Sequence, residues 1–203
     1  MENAYILSLD LSTTNIGFCL WSDTGNLIEM KHLELKTPKD ISVNNRDIYK
    51  AQIFLNYVND YKKYVSDLLN GKIIHIVIEE PLFGSNNSLT VSTLMSFNGI
   101  CRFILYQVFN IYSQKISIYE IRKLMCPEFV NLTKVKGVIK ETLSFPKGWK
   151  SEEKKKYIWE KVARMLPDAK WFYKKNGKDL SNLNYDLSDS YACGYAYFKK
   201  INK

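Results

Sequence analysis

Two apolar runs that each close on an acid set out the plan of this chain. Tyr5-Ile-Leu-Ser-Leu-Asp10 is interrupted only by Ser8, and Ile73-Ile-His-Ile-Val-Ile-Glu-Glu80 only by His75. Runs of this length predict strands covered on both faces of a sheet. After the first, Ser12 to Asn15 reads as a turn, Ile16 to Trp21 as a strand, Asp23-Thr-Gly-Asn26 as a second turn and Leu27 to Leu35 as a third strand. The chain therefore opens as a three-stranded antiparallel meander. Thr37 to Asn44 is a polar connector, and Asn45 to Leu69 carries Ile48, Phe54, Val58, Tyr61 and Val65 at helical spacing, with Gly71 as its C-cap. That helix is the crossover that brings the second apolar run alongside the first. Asp10 and either Glu79 or Glu80 then meet at one edge of the sheet. A buried acid is costly alone and calls for a metal, a partner or water.

Further on, Pro81 to Ser88 reads as a loop and Leu89 to Asn110 as a long helix, apolar on more than one face, with Gly99 inside it. Ser117 to Glu120 suits a fifth strand and Ile121 to Met125 a helical turn stopped by Pro127. Asn131 to Gly148 shows no periodicity and reads as a loop that orders on binding. Ser151 to Leu166 reads as a helix with an imperfect Ser151-x-x-Lys cap, and Asp168 to Asn184 as irregular. The last element, Tyr185 to Phe198, is a helix that begins Tyr185-Asp-Leu-Ser-Asp189. Three-residue spacing puts Asp186 and Asp189 on one face, in a first turn whose dipole tolerates negative charge. Ordinary capping explains such a pair as well, until the two strand-end acids are considered with it.

The 203 residues suffice for one well-packed α/β domain spanning 1–203. Cys19, Cys101, Cys126 and Cys193 are far apart, form no Cys-x-x-Cys pair and sit among apolar neighbours, so they read as buried thiols of a reducing compartment. His75 reads as a core histidine. With no signal-peptide pattern and no run reaching the ~18 apolar residues of a membrane span, a soluble, cytoplasmic protein is expected. The net charge of +8 is uneven: Lys134 to Lys178 holds 14 Lys or Arg against 5 Asp or Glu. Interleaved with Trp149, Tyr157, Trp159, Trp171, Phe172 and Tyr173, that segment suits a nucleic-acid backbone, although a solvated lysine-rich face has the same composition.

Three stretches carry a resemblance. Leu9-Asp10-Leu-Ser-Thr-Thr-Asn-Ile-Gly17, Val77-Ile-Glu79-Glu-Pro-Leu-Phe-Gly-Ser-Asn86 and Tyr185-Asp186-Leu-Ser-Asp189-Ser-Tyr-Ala192 resemble, in order, the three motifs of the RuvC family of Holliday junction resolvases. The resemblance implies an RNase H-like fold: a five-stranded mixed sheet of the meander plus two parallel strands, flanked by helices. It implies a homodimer and Mg²⁺-dependent incision of branched DNA, with two ions per site and Mn²⁺ as a substitute. By carry-over, Asp10, Glu79, Asp186 and Asp189 are the catalytic, metal-binding acids. Glu80 stands where a neutral polar residue is common, which leaves the choice between the two glutamates open. Family members carry a stacking aromatic in the loop after the glutamate and lysines beside the site. Phe83 is the corresponding wedge candidate, and Lys150, Lys154 and Lys155 are the DNA-contacting lysines.

The chemistry agrees. Phosphodiester hydrolysis needs an activated water and a stabilised departing oxygen, which two divalent ions about 4 Å apart supply. Four carboxylates with no clustered histidines suit hard Mg²⁺ better than zinc. Ser12 stands where an Asp-x-Glu exonuclease needs glutamate. Two other classes compete with the nuclease: a phosphotransferase, and a scaffold or RNA-processing relative of the same fold. The stretch Leu9 to Asn15 is similar to the phosphate hairpin of sugar kinases and actin-like proteins, but those need two such domains. A catalytically silent nucleic-acid scaffold and a relative that processes ribosomal RNA precursors share the fold. Four retained acids argue against the scaffold, because clustered carboxylates without a metal cost stability.

Overall fold

The computed structural model describes residues 4–81, 88–135, 138–177 and 179–202. Its centre is a five-stranded sheet ordered β3-β2-β1-β4-β5. The meander forms as expected, with β1 at Tyr5–Leu11, β2 at Asn15–Trp21 and β3 at Leu27–Glu34. Strand β2 pairs antiparallel with both neighbours. Helix α1 (Arg46–Leu69) crosses over to β4 (Ile74–Glu79), which lies parallel to β1. The left-handed residue that ends α1 is Asn70, at φ 46°, one position before the predicted Gly71, which is itself left-handed. Asn tolerates that region because its short polar side chain bonds locally, so the chain turns one residue early. Helix α2 (Ser88–Phe109) follows.

The next strand is displaced from its expected place. Strand β5 is Gln114–Ile116, parallel to β4, and the stretch read as a strand belongs to helix α3 (Ile118–Met125). The reason is a capping box: Ser117 Oγ accepts from the Glu120 N–H while the Glu120 carboxylate accepts from the Ser117 N–H. Two otherwise orphan donors are satisfied, and the helix starts there. The expected loop 131–148 contains β6 (Val130–Val135) and β7 (Val138–Leu143), a separate two-stranded hairpin. Nearly every described side chain of the hairpin is exposed, so no apolar alternation marked it in the sequence. Helices α4 (Ser151–Met165) and α5 (Leu183–Ile201) complete the chain. At the start of α4 the Lys150 N–H donates to the Glu153 carboxylate at 2.8 Å, so Glu153 rather than Ser151 provides the cap.

Each face of the sheet buries its own cluster. Leu7, Leu9, Phe18, Ile76 and Ile78 pack on Phe54 and Val58 of α1 and Phe97 and Leu105 of α2. On the other face Ile6, Cys19, Trp21 and Val77 meet Ile121 of α3, Ile158 of α4 and Ala192 and Cys193 of α5. These layers, with three antiparallel strands followed by two parallel ones, are the RNase H-like arrangement expected from the sequence. All four cysteines are buried, unpaired thiols. His75 is partnered by the Tyr197 hydroxyl at 3.0 Å, as a core histidine should be. Among the described residues no helix is long and apolar enough to cross a membrane.

Candidate active site

Strand alternation decides which side chains reach the α5 side of the sheet. Leu7, Leu9 and Leu11 pack toward α1 and α2, so Ile6, Ser8 and Asp10 face α5. In β4, Ile74, Ile76 and Ile78 take the first side, while Val77 and Glu79 take the second. Because Leu9 is in register with Ile78, Asp10 and Glu79 stand at the same level near the ends of neighbouring strands. Glu80 reaches the rim of the same cavity, but its Oε1 lies 4.0 Å from Lys115 Nζ.

Helix α5 closes down on these two acids because small residues let it. A side chain on Gly17, the residue opposite Asp10, would collide with the Asp186 carbonyl. One on Gly194 would collide with the Trp21 indole and the Ser8 hydroxyl. Ser8 Oγ donates to the Ser190 carbonyl at 2.8 Å and accepts from Trp21 Nε1 at 3.1 Å, which fixes the helix against β1 and β2. Asn184 grips the preceding segment, accepting from the Phe172 N–H at 2.8 Å and donating to its carbonyl at 2.6 Å. Asp186 lies in the first turn, as expected. Asp189 lies in the second, because α5 begins at Leu183, so the helix dipole favours Asp186 more than Asp189.

Asp10, Glu79 and Asp189 line one cavity of about 190 Å³, together with Asn98, Arg122 and Lys155. Asp186 lines the adjoining cleft with Asn15, Ser151 and Lys155. Lys155 Nζ stands 3.6 Å from Asp189 Oδ2. Burial raises the Asp10 carboxyl well above its usual range, and the charges of Glu79, Asp189 and Asp186 raise it further. Burial also raises Glu79, Asp189 and Asp186, the last to about 6, while Lys155 pulls all three back. Arg122 lowers Glu79 and Asp189 as well. For the Lys155 ammonium, burial works downward, but the charges of Asp189, Asp10, Asp186 and Glu79 outweigh it and raise it. The site is thus four acids held in the protein against their own repulsion, with two cations offsetting part of it.

Of the other expected site residues, only Lys155 joins the acids. Lys154 sits 5.6 Å from the centre of the Phe145 ring, and Lys150 occupies the start of α4. Phe83 lies outside the described residues. Trp149 and Tyr157 are packed with Phe129 and Phe145, and Trp159 against Trp171, so much of the aromatic content of the basic segment binds itself. Sequence reasoning overlooked Arg122, Asn15 and Asn98. The Ser117-x-x-Glu120 signature was the readable signal for Arg122, since it puts that arginine on a helix rather than a turn.

Among the described residues, no three Asp, Glu, His or Cys side chains stand close enough to hold one ion in this arrangement. The donor chemistry suits a hard divalent cation nonetheless, being carboxylate oxygen. The raised carboxyls are the electrostatic mark of a site that a cation would relieve. Burial also raises the nearby Cys193 thiol, and the charges of Glu79 and Asp10 add to the effect, so it remains a neutral packing group.

No protein-family model matches the sequence, and no curated protein does. Solved structures resemble the fold, among them three Holliday junction resolvase structures. Thermus thermophilus RuvC in complex with a Holliday junction substrate superposes with TM-score 0.60 at 8% identity, over 98% of this chain and 96% of that one. Thermus thermophilus RuvC gives 0.51 at 11% identity over 98% and 96%, and the yeast mitochondrial Holliday junction resolvase 0.51 at 11% over 98% and 79%. At such identities the likeness is one of fold, and this chain has the RNase H-like fold in the form these resolvases share.

Proposed function

We propose that this protein is a metal-dependent, structure-selective endonuclease that hydrolyses branched DNA, four-way junctions in particular, and acts as a homodimer. The observation that carries the reading is the gathering of Asp10, Glu79, Asp186 and Asp189 from three elements at one end of the sheet, where burial raises every carboxyl and neighbouring acids raise Asp10, Glu79 and Asp186 further. These acids would hold two Mg²⁺ or Mn²⁺ ions, which supply an activated water and stabilise charge on the departing oxygen. Lys155 keeps its proton among them and, with Arg122, presents positive charge to an entering phosphate. Asn15 lines the same cleft as Asp186 and lowers its carboxyl. Lys150, Lys154 and other lysines of the 134–178 segment add salt-dependent affinity for the backbone. The RuvC of like fold that was solved with a Holliday junction substrate supports this substrate class.

A dimer suits a substrate of near two-fold symmetry that must be cut twice. Met95 and Phe103 are exposed on one stripe of α2, and a side chain on Gly99 between them would meet open space. A second copy of the same stripe would cover all three.

The test is cleavage of a synthetic four-way junction with Mg²⁺, beside linear duplex and structured RNA. Asp10→Asn, Glu79→Gln, Asp186→Asn and Asp189→Asn should each slow junction cleavage roughly 100-fold or more, the scale of losing one preorganised electrostatic group, while binding persists. Glu80→Gln should act more mildly. Two or more of the four variants cutting near the wild-type rate would remove the four-acid site. Cleavage of RNA in place of junctions would assign the protein to RNA processing, and binding without any cleavage would make it a scaffold.

A further inference from the structure

The β6–β7 hairpin is an unusual surface to leave bare. Leu132, Val138 and Ile139 are 69%, 59% and 67% exposed, where a small two-stranded sheet would ordinarily hide such residues. Cross-strand register puts Leu132 opposite Glu141, Lys134 opposite Ile139 and Thr133 opposite Lys140. Paired residues share a face, so Leu132, Lys134, Ile139 and Glu141 lie on one side and Thr133, Val138 and Lys140 on the other. Among the described residues neither Lys134 nor Lys140 has an ion-pair partner, whereas the acids beside the hairpin are neutralised: Glu141 by Lys123 and Glu128 by Lys161. The outer hairpin is thus apolar and cationic, the one acid among its described residues, Glu141, being held by Lys123 of α3.

Its base is fastened to the acid site from both ends. Before it, α3 carries Arg122 into the cavity of the acids and Lys123 onto Glu141. After it, Phe145 lies 5.9 Å from the Arg122 guanidinium and packs with Phe129 and Trp149, and α4 then supplies Ser151 and Lys155 to the site. Phe129 also bonds across the base, where its carbonyl accepts from the Ser144 N–H at 2.9 Å. Six residues of strand at ~3.3 Å each let the hairpin reach about 20 Å beyond this anchor.

We infer that the hairpin is a branch-point finger. Leu132 and Ile139 on one face and Val138 on the other pack against the base-pair faces that a branched DNA exposes where its arms separate, with Lys134 and Lys140, one on each face, on the flanking phosphates. This rests on the nuclease reading above. The occupant is DNA because the two lysines lack counter-charges and the surrounding segment is strongly basic. Apolar side chains beside lysines need a partner with bare apolar faces and regularly spaced negative charge, and an opened branch offers both. Uninterrupted duplex hides its base faces, so the finger favours branched over linear DNA.

The experiment compares wild type, Leu132→Ser/Ile139→Ser and Lys134→Ala/Lys140→Ala on a four-way junction and a linear duplex of equal length. Side chains this exposed can be replaced with little effect on stability, which a thermal melt verifies. The Ser pair should lower the preference for junction over duplex by at least about tenfold, the weight of ~1.4 kcal/mol, and abolish any wild-type rise in 2-aminopurine fluorescence at the branch. The Ala pair should weaken both substrates and reduce the salt slope by about 1.8, at 0.9 per phosphate contact. Unchanged junction preference in the Ser pair, with wild type still binding and cutting junctions, overturns the finger and leaves the nuclease standing. A wild type that neither binds nor cuts junctions removes the nuclease reading and the finger with it. A Ser pair that sediments as a monomer beside a dimeric wild type makes the hairpin a subunit contact and likewise overturns the proposal.

Discussion

The backbone carbonyl of Asp186 occupies the space that a side chain at Gly17 would need. Gly17 is also the residue in register with Asp10, so one missing side chain lets two of the four acids approach from different elements. Gly17→Ala would push α5 off β2. Overpacking of this kind costs roughly 1–3 kcal/mol, and the altered site should lose cleavage well beyond that loss of stability. Thermal melts and rates measured well below the melting temperature separate the two effects. A stable Gly17→Ala variant with normal activity would show that the tight approach is not needed.

Without divalent ions, the site should make the protein less stable as pH rises. Burial raises all four folded-state carboxyls, Asp186 to about 6, and repulsion from neighbouring acids adds to the rise at Asp10, Glu79 and Asp186. Between the unfolded values near 4 and the folded ones, the native state keeps protons that the unfolded chain has lost, so unfolding free energy declines with pH. The contribution is complete below pH about 4 and lost as pH passes the folded values. The positive charge of the whole chain works in the opposite direction, so the site's share is read from the difference between wild type and Asp10→Asn. In EDTA at pH 8 the variant should melt higher, by about 2–4 °C per kcal/mol relieved. A lower melting point for Asp10→Asn under those conditions would contradict the repulsion.

How legible this was differs by element. The two strand-end acids and the Asp-x-x-Asp helix could be read because buried strands and an apolar helix leave strong patterns, while the choice between Glu79 and Glu80 stayed open until the pairing of β4 with β1 put Glu79 beside Asp10. Strand β5 could not, because only Ile116 of its three residues is buried and a three-residue edge strand leaves almost no period. The β6–β7 hairpin failed for the opposite reason: nearly every described side chain is exposed, so no buried face imposed an apolar alternation. Arg122 entered the site only through the helix that the missed capping box begins. Lys155 was one of three equivalent lysines until α4 fixed which one faces the acids.

That placement separates the three lysines. Lys155→Ala removes the cation 3.6 Å from Asp189, and it should both lower the melting temperature in EDTA at pH 8 and slow cleavage at saturating junction. Lys150→Ala and Lys154→Ala should leave the saturated rate near wild type and change only affinity, each reducing the salt slope by at most about 0.9. Combining Lys155→Ala with Asp189→Asn should recover part of the lost stability, because a charge and its counter-charge leave together. Equal effects of all three single substitutions on the saturated rate would place Lys155 outside the chemistry.

The exposed stripe of α2 makes the assembly testable apart from catalysis. Phe97, Cys101 and Leu105 are fully buried on the sheet side, so Met95, Gly99 and Phe103 are free to serve another surface. Phe103 is 62% exposed, a large apolar side chain whose burial against a second copy would be worth roughly 1.5–3 kcal/mol per subunit at full coverage. Phe103→Asp should therefore convert a dimer to monomer at micromolar concentration without altering the melting of the monomer. On a junction the monomeric variant should nick one strand and release a product with a single incision, since the paired cut needs two sites on one two-fold axis. Sedimentation velocity and the ratio of nicked to fully resolved junction measure both. Wild type that sediments as a monomer, free and on a junction, would rule the interface out, and paired incision by a monomeric Phe103→Asp would uncouple symmetry from the second cut.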